Sequence, residues 1–277
     1  MIQILGAPLD IQAEELHNGL TDMERNIVER MAASTTLYTY PSVEQLRFEL
    51  KLRSQIVAAA KAFEQSGVEF EGFSTSRCNP RYWVRTEEGG CRLKEGVQPA
   101  VAIRDIFTNG GTYGFECATA IVVIYYKAVL ESIGEQNFNR LFSPLLLFDG
   151  TYDKDLGLVW KEKKQYLPGD VRYFKNPDYN PETPEWQGEN AVLLEDGRYF
   201  GHGIGIKKAE GIIASLNKER KSGATRSAYL LDGAAEPDFA ALSQYDQKRE
   251  HGTANDRDIP EKRYIIARIG QASYLAL

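Results

Sequence analysis

Cys117 is the residue of this chain best placed to act as a nucleophile. It stands in the run TNGGTYGFECATAIVVIYYKAVLESIG, Thr108 to Gly134. Gly110, Gly111 and Gly114 open the run, Phe115 and Glu116 lead to the cysteine, and an apolar stretch from Ala118 to Leu130 follows. That stretch is too long for one strand, and Gly134 suits the position just past a helix end. Cys117 is therefore expected in the first turn of a buried helix. The free N–H groups and dipole of a helix start stabilise a thiolate and lower the thiol pKa. A cysteine in an apolar helix also fits an inert core position, so nucleophilic chemistry requires a base nearby.

The chain has three histidines. His17 and His251 lie in polar terminal regions. His202 lies in AVLLEDGRYFGHGIGI, where Asp196-Gly197 signals a two-residue type I′ hairpin between apolar runs. With that turn, Glu195 faces Arg198, Leu193 faces Phe200 and Ala191 faces His202. Side chains two apart on a strand share a face. Glu189 then becomes the same-face diagonal neighbour of His202, about 7–8 Å away, and Asn190 points to the opposite face. A loop with an odd residue count would reverse this parity and favour Asn190. A thiol at a helix start, an imidazole on a strand and a carboxylate to orient it fill the roles of cysteine–histidine catalysis. The imidazole takes the thiol proton to give a thiolate–imidazolium pair. The competing reading of His202 is a strand histidine satisfied by an ordinary hydrogen bond.

The remaining elements must position these groups. Ser42, with Gln45 three residues on, predicts a capped helix through Leu46, Leu50, Ile56, Val57, Ala60 and Phe63 that stops at Gly67. A shorter helix is expected near Asp22–Met31. Val68–Phe73, Arg81–Thr86 and Cys91–Leu93 read as strands, with Glu88-Gly89-Gly90 turning between the last two. Cys78 and Cys91 sit here without assigned chemistry. Pro99–Ile106 reads as a helix, Leu145–Phe148 and Gly169–Phe174 as strands, Ala209–Asn217 as a helix and Ser227–Leu231 as a last strand-like run. NPDYNPETPEWQGEN reads as an ordered loop. The Asp149, Asp153, Asp155 cluster lacks the glycine and closing glutamate of a calcium loop and reads as a solvated acidic turn. The segment 236–263 is charged, polar and expected to be mobile. The final YIIARIGQASYLAL is apolar enough to dock back. The fold class is α+β, one catalytic domain over 1–277, with the cysteine helix packed on an antiparallel sheet.

Composition excludes several functions. A net charge of −6 and the lack of a Lys/Arg block speak against nucleic-acid binding, and mildly favour lysine-bearing partners. The first residues lack the basic start and apolar run of a signal peptide, and no segment reads as membrane-spanning. Three cysteines without CxxC spacing speak against zinc and fit reduced thiols made in the cytoplasm.

AIRDI, YGFECATAIVVIYY, YFKNP, WQGENAVLL, YFGHGIGI and SAYLL, with ELKLRSQIVAAAK upstream, together resemble the protein-glutamine γ-glutamyltransferases of Bacillus spore coats. The resemblance runs from about 35 to 233, in the family's order. It implies a compact papain-like (NlpC-like) fold, a cysteine–histidine–glutamate triad, no cofactor and no calcium requirement. Residue by residue it implies Cys117 as nucleophile, His202 as base and Glu189 as orienter, with Glu116 as a possible auxiliary base. It places Phe70 and Trp186 in an aromatic tunnel wall that binds substrate, and Gly150 where a bulky aromatic is expected, which would widen the tunnel. The implied activity is transglutamination: proteins with accessible glutamine and lysine, spore coat proteins among them, joined by isopeptide bonds. A papain-like cysteine amidase or peptidase is the alternative. A structural coat protein with an incidental triad is the third reading.

Overall fold

The structure, a computed structural model, describes residues 1–11, 16, 19–246 and the backbone of 264–265. In chain order the first elements are β1 (Ile2–Ile4), β2 (Ala7–Pro8), α1 (Asp22–Ala33), β3 (Tyr38–Tyr40) and α2 (Val43–Gln65). Next come β4 (Glu69–Phe70), β5 (Trp83–Arg85), β6 (Cys91–Leu93), α3 (Pro99–Thr108), β7 (Gly114–Phe115), α4 (Cys117–Ile133) and α5 (Glu135–Leu141). Then follow β8 (Leu146–Leu147), β9 (Tyr152–Asp153), β10 (Val159–Lys161), β11 (Val171–Lys175), β12 (Gly188–Leu193), β13 (Tyr199–Gly201) and β14 (Gly205–Lys207). The last are α6 (Ala209–Lys218), β15 (Tyr229–Leu230), β16 (Ala234–Glu236), α7 (Phe239–Ser243) and β17 (Tyr264–Ile265).

Helix α4 is the centre of this mixed α and β fold. Ile121, Val122, Val123, Ile124 and Tyr125 are all buried on consecutive positions, so the helix is covered on every side. It packs along α2 and against β12. The main sheet runs β10–β16–β11–β12–β13–β14, with β15 beside β16 on the same edge of β11. Its pairings are antiparallel. β11 and β12 are buried nearly throughout, as a strand between two layers requires.

The helix ends follow local chemistry. Thr21 and Glu24 form a reciprocal capping box at α1. Ser42 accepts the Gln45 N–H at the start of α2, and Gly134, with φ of 81°, closes α4. The small strands are shorter than their apolar runs imply. β4 stops at Phe70 because Glu71 makes the last bond to the Phe115 carbonyl and Gly72 to Thr75 then turn.

Two expectations change. The hairpin loop holds three residues, not two. Ala191 faces Gly201, Val192 faces Phe200 and Leu193 faces Tyr199, one step from the register expected of a type I′ turn. Such a turn needs positive φ at both central residues, and here Gly197 has it while Asp196 does not. The polar segment from 236 also begins as ordered structure. β16 pairs with β10, and Phe239 and Leu242 of α7 enter the core. Glu236 is buried because Arg53 and Lys163 neutralise it. Truncation before Glu236 therefore removes packed structure rather than a surface cap. Residues 247–263, His17, His251 and all but Tyr264–Ile265 of the apolar C-terminal run lie outside the described residues. That pair of residues aligns antiparallel with Tyr152–Asp153.

Candidate active site

The approach to Cys117 is fixed by close backbone packing. β7 lies parallel to β4, with Phe70 opposite Phe115. Gly114 exchanges two backbone hydrogen bonds with Arg77, at 3.0 and 3.1 Å. A Cβ on Gly110 would come within 2.1 Å of the Ser66 carbonyl oxygen at the end of α2. The glycine loop thus serves contact with α2 and β4 more than it bares Cys117, a residue only 8% exposed.

Cys117 occupies the first helical position, as expected, but Glu116 claims the helix start. Its carboxylate accepts the N–H of Ala118 at 2.5 Å and of Thr119 at 2.9 Å, and the Thr119 hydroxyl as well. Burial raises the Glu116 pKa to about 7; its three hydrogen bonds lower it less, and Asp149 adds to the rise. For Cys117 the direction is the reverse of the sequence expectation. Burial, then the neighbouring acids Glu189 and Glu116, push its thiol above the ordinary value, against the lowering effect of Asn190. The resting Cys117 is a neutral thiol, because desolvation outweighs a helix dipole already met by a capping carboxylate.

His202 follows β13 and is buried. Its ring packs edge-on against Phe63 at 5.1 Å and beside Phe70 at 5.6 Å. Nε2 lies 3.2 Å from the Glu69 carbonyl oxygen. Burial lowers its pKa to about 4, against hydrogen bonds to the Glu69 and Phe115 carbonyls that raise it. The imidazole is therefore neutral at pH 7, and it stands against the Phe115 carbonyl, two residues ahead of the sulfur.

Glu189 reaches His202 by a route the sequence did not show. Its carboxyl accepts the backbone N–H of His202 and lies over Gly201, where a Cβ would come within 2.9 Å of its Cγ. Burial, and then Glu116, raise its pKa well above the carboxylate range. The odd loop puts Asn190 one pair beyond Ala191–Gly201, opposite His202. Its Nδ2 donates to the Cys117 sulfur at 3.7 Å. The two-residue reading had sent this side chain to the other face; only the loop length could have located it.

Phe70 and Trp186 stack at 4.9 Å with ring planes 33° apart, and Phe70 also meets Gly203, where a Cβ would fall 2.7 Å from its ring. Gly150 is buried and has φ of 67°, a conformation that disfavours the aromatic expected there. A cavity of about 710 Å³ lies elsewhere, between the Thr35–Tyr40 stretch, Arg53 and Phe239. Among the described residues, no group of three or more His, Cys, Asp and Glu could hold a metal, and no helix is long and apolar enough to cross a membrane.

The opposed shifts of Glu116 and His202 make a pH prediction. Between about pH 4.5 and 7 the folded chain keeps a Glu116 proton that the unfolded chain loses, so stability falls as pH rises. Between about pH 4 and 6.5 the unfolded chain holds a His202 proton that the folded chain lacks, so stability rises with pH. Each effect reaches about 3 kcal/mol, and they largely cancel. Glu116→Gln removes the first. Relative to the native chain it should gain about 3 kcal/mol on going from pH 4 to pH 8, read from denaturant midpoints. An unchanged difference would mean that the Glu116 carboxyl has the same pKa in the folded and unfolded chain.

The model of the family described as protein-glutamine gamma-glutamyltransferase matches residues 1–246. The enzyme of that name from Bacillus mycoides (strain KBAB4) is 46% identical over 222 residues, 80% of this chain and 80% of the relative. Its counterpart from Halalkalibacterium halodurans is 44% identical over 232 residues, 84% and 81% of the two chains. A solved structure of the transglutaminase from Geobacillus stearothermophilus, without its C-terminal extension, aligns with a TM-score of 0.72 at 54% identity, covering 75% of this chain and 99% of that one. With sequence and architecture in agreement, this chain belongs to the protein-glutamine gamma-glutamyltransferase family and is an acyltransferase.

Proposed function

We propose that this chain forms ε-(γ-glutamyl)lysine crosslinks between proteins through a thioester on Cys117. The observation that supports this most is that the Asn190 amide of β12 bonds the sulfur at the start of α4, while the neutral His202 ring stands beside the Phe115 carbonyl, two residues ahead of that sulfur. His202 takes the thiol proton as sulfur attacks the glutamine carboxamide. It returns that proton to the nitrogen, which leaves as ammonia. A lysine amine then attacks the thioester, His202 removes its proton, and the sulfur leaves. Glu189 orients His202, holding its main chain through the backbone N–H. Glu116 caps α4 and is the nearest further acid to the sulfur along the chain. The core is read as papain-like, the reaction as calcium-independent, and the substrates as coat proteins of a spore. Purified chain, a glutamine peptide and a primary amine, with a chelator present, test the reading. Stoichiometric ammonia and amide product support it; free acid as the sole product favours the amidase; no ammonia rejects both.

Transfer must also outcompete water. Water is present at about 55 M, whereas orientation supplies effective molarities of about 10⁵ M or more. The Phe70–Trp186 pair beside His202 gives an apolar wall suited to a lysine stem. Trp186→Ala should leave thioester formation largely intact and raise the ratio of hydrolysis to amine incorporation several-fold. Ammonia release and amine incorporation measured on one peptide give that ratio. An unchanged ratio makes Trp186 ordinary packing.

A further inference from the structure

We propose that Asn190 reads the primary carboxamide of the substrate, its Nδ2 holding the Cys117 sulfur while its Oδ1 accepts an N–H of the glutamine side chain. This rests on the crosslinking reading and names how the same site selects its acyl donor. Asn190 is 2% exposed and pairs across to Tyr173 in the middle of the sheet. Its Nδ2 donates to Sγ at 3.7 Å, and its backbone N–H bonds the sulfur too. Its Oδ1 is buried and, among the described residues, has no hydrogen-bond partner.

Buried acceptors in native folds are nearly always satisfied. One left open, on the same planar amide that touches the nucleophile, is completed by a donor that arrives with substrate. A carboxamide carries N–H donors; a carboxylate or an ester carries none. A glutamate side chain would instead set negative oxygens against Asn190 Oδ1, near Glu116 and Glu189, in a site whose burial already opposes charge. A site built to bond an N–H rejects the analogue lacking it far more strongly than an apolar pocket rejects an extra group. The step balances. The S–C bond forms as the thiol proton passes to His202. The C–N bond then breaks as that proton reaches the nitrogen. Oδ1 holds the nitrogen until it departs as ammonia.

The test compares two acyl donors on one peptide, the γ-carboxamide and the γ-p-nitrophenyl ester. Asn190→Leu keeps the volume and removes both polar atoms. It should lower kcat/KM for the carboxamide about 10²-fold and for the ester less than about tenfold. Asn190→Asp, which keeps an acceptor oxygen, should recover part of the amide-over-ester preference. Equal loss on both donors would assign Asn190 to the sulfur or the oxyanion and overturn the proposal, as would no loss on either. Should Asn190→Leu fail to fold, the native chain supplies the measurement. The γ-carboxamide peptide should protect Cys117 from iodoacetamide at least tenfold better than the γ-methyl ester peptide; equal protection overturns the proposal. A native chain that releases no ammonia from any glutamine peptide removes the crosslinking reading itself. Selective failure at Asn190 in an active enzyme removes only this inference.

Discussion

Cys117→Ala is expected to abolish both ammonia release and amine incorporation, a loss of about 10⁴-fold or more, in a chain that still folds. The sulfur is the atom that the start of α4 and both Asn190 donors converge on. In the proposed mechanism the thioester forms on that sulfur, so the variant has no acyl-enzyme to pass on. Folding should survive because alanine suits the first turn, and the cap that holds the helix start belongs to Glu116. The two other thiols provide the controls. Cys78 and Cys91 are free thiols that share a side-chain hydrogen bond, Cys91 paired opposite Arg85 in the β5–β6 ladder. Cys78→Ala and Cys91→Ala should retain most of the activity. A loss at Cys78 equal to that at Cys117 would sink the nucleophile assignment.

The second large effect is on stability. Arg53, on α2, is buried, only 2% exposed. Its guanidinium meets Glu49 at 2.8 Å, Asp170 at 2.8 Å and Glu236 at 3.2 Å, and Lys163 joins the last two. Burial by itself would raise Asp170, yet Arg53 and Lys163 hold it below the ordinary carboxylate value, and Lys163 and Arg53 do the same for Glu236. Arg53→Met leaves three buried carboxyls with Lys163 and the more exposed Lys161, which reaches Glu236 alone. Breaking a buried ion pair from one side costs about 3–5 kcal/mol, so the variant should unfold at a markedly lower denaturant concentration. The penalty should be largest above pH 5 and shrink as acid protonates Asp170 and Glu236, the carboxyls that Arg53 and Lys163 hold below their ordinary values. Adding Asp170→Asn and Glu236→Gln should return part of the loss. A cost below about 1 kcal/mol would mean that the network contributes no more than an exposed pair.

That network also ties the site together. Asp170 leads into β11, which pairs with β12 through Tyr173–Asn190 and Phe174–Glu189. Glu236 ends β16 on the other edge of β11. A charge centre on α2 thus fixes the strands that carry Asn190 and Glu189 against the helix that carries Cys117.

Local chemistry along the chain determined where Cys117 stands. An apolar run bounded by a polar cap and Gly134 has one compact solution, a buried helix, and the cysteine is its first residue. The same signals determined α1 and α2, through Thr21, Ser42 and Gly67. Each depends on side chains within four residues of one another, which is why sequence spacing suffices. The aromatic pair Phe70–Trp186 carried no such signal, since its partners lie more than a hundred residues apart; it rested on the family resemblance.

Tertiary structure decided the rest. Asp196-Gly197 alone favours a two-residue turn, but the Arg30 guanidinium holds the Glu195 carbonyl at 2.6 Å and Lys61 pairs with its carboxylate. Glu195 is drawn into the loop, the count becomes odd, and every side chain on β12 changes face. Asn190 reaches the sulfur for that reason. The ionisation of the site was settled in the same way. A helix start favours a thiolate, but the solvent removed around Cys117 and the capping carboxylate of Glu116 favour the neutral thiol, and they win. Register and desolvation depend on what packs from distant parts of the chain, and no local spacing encodes them.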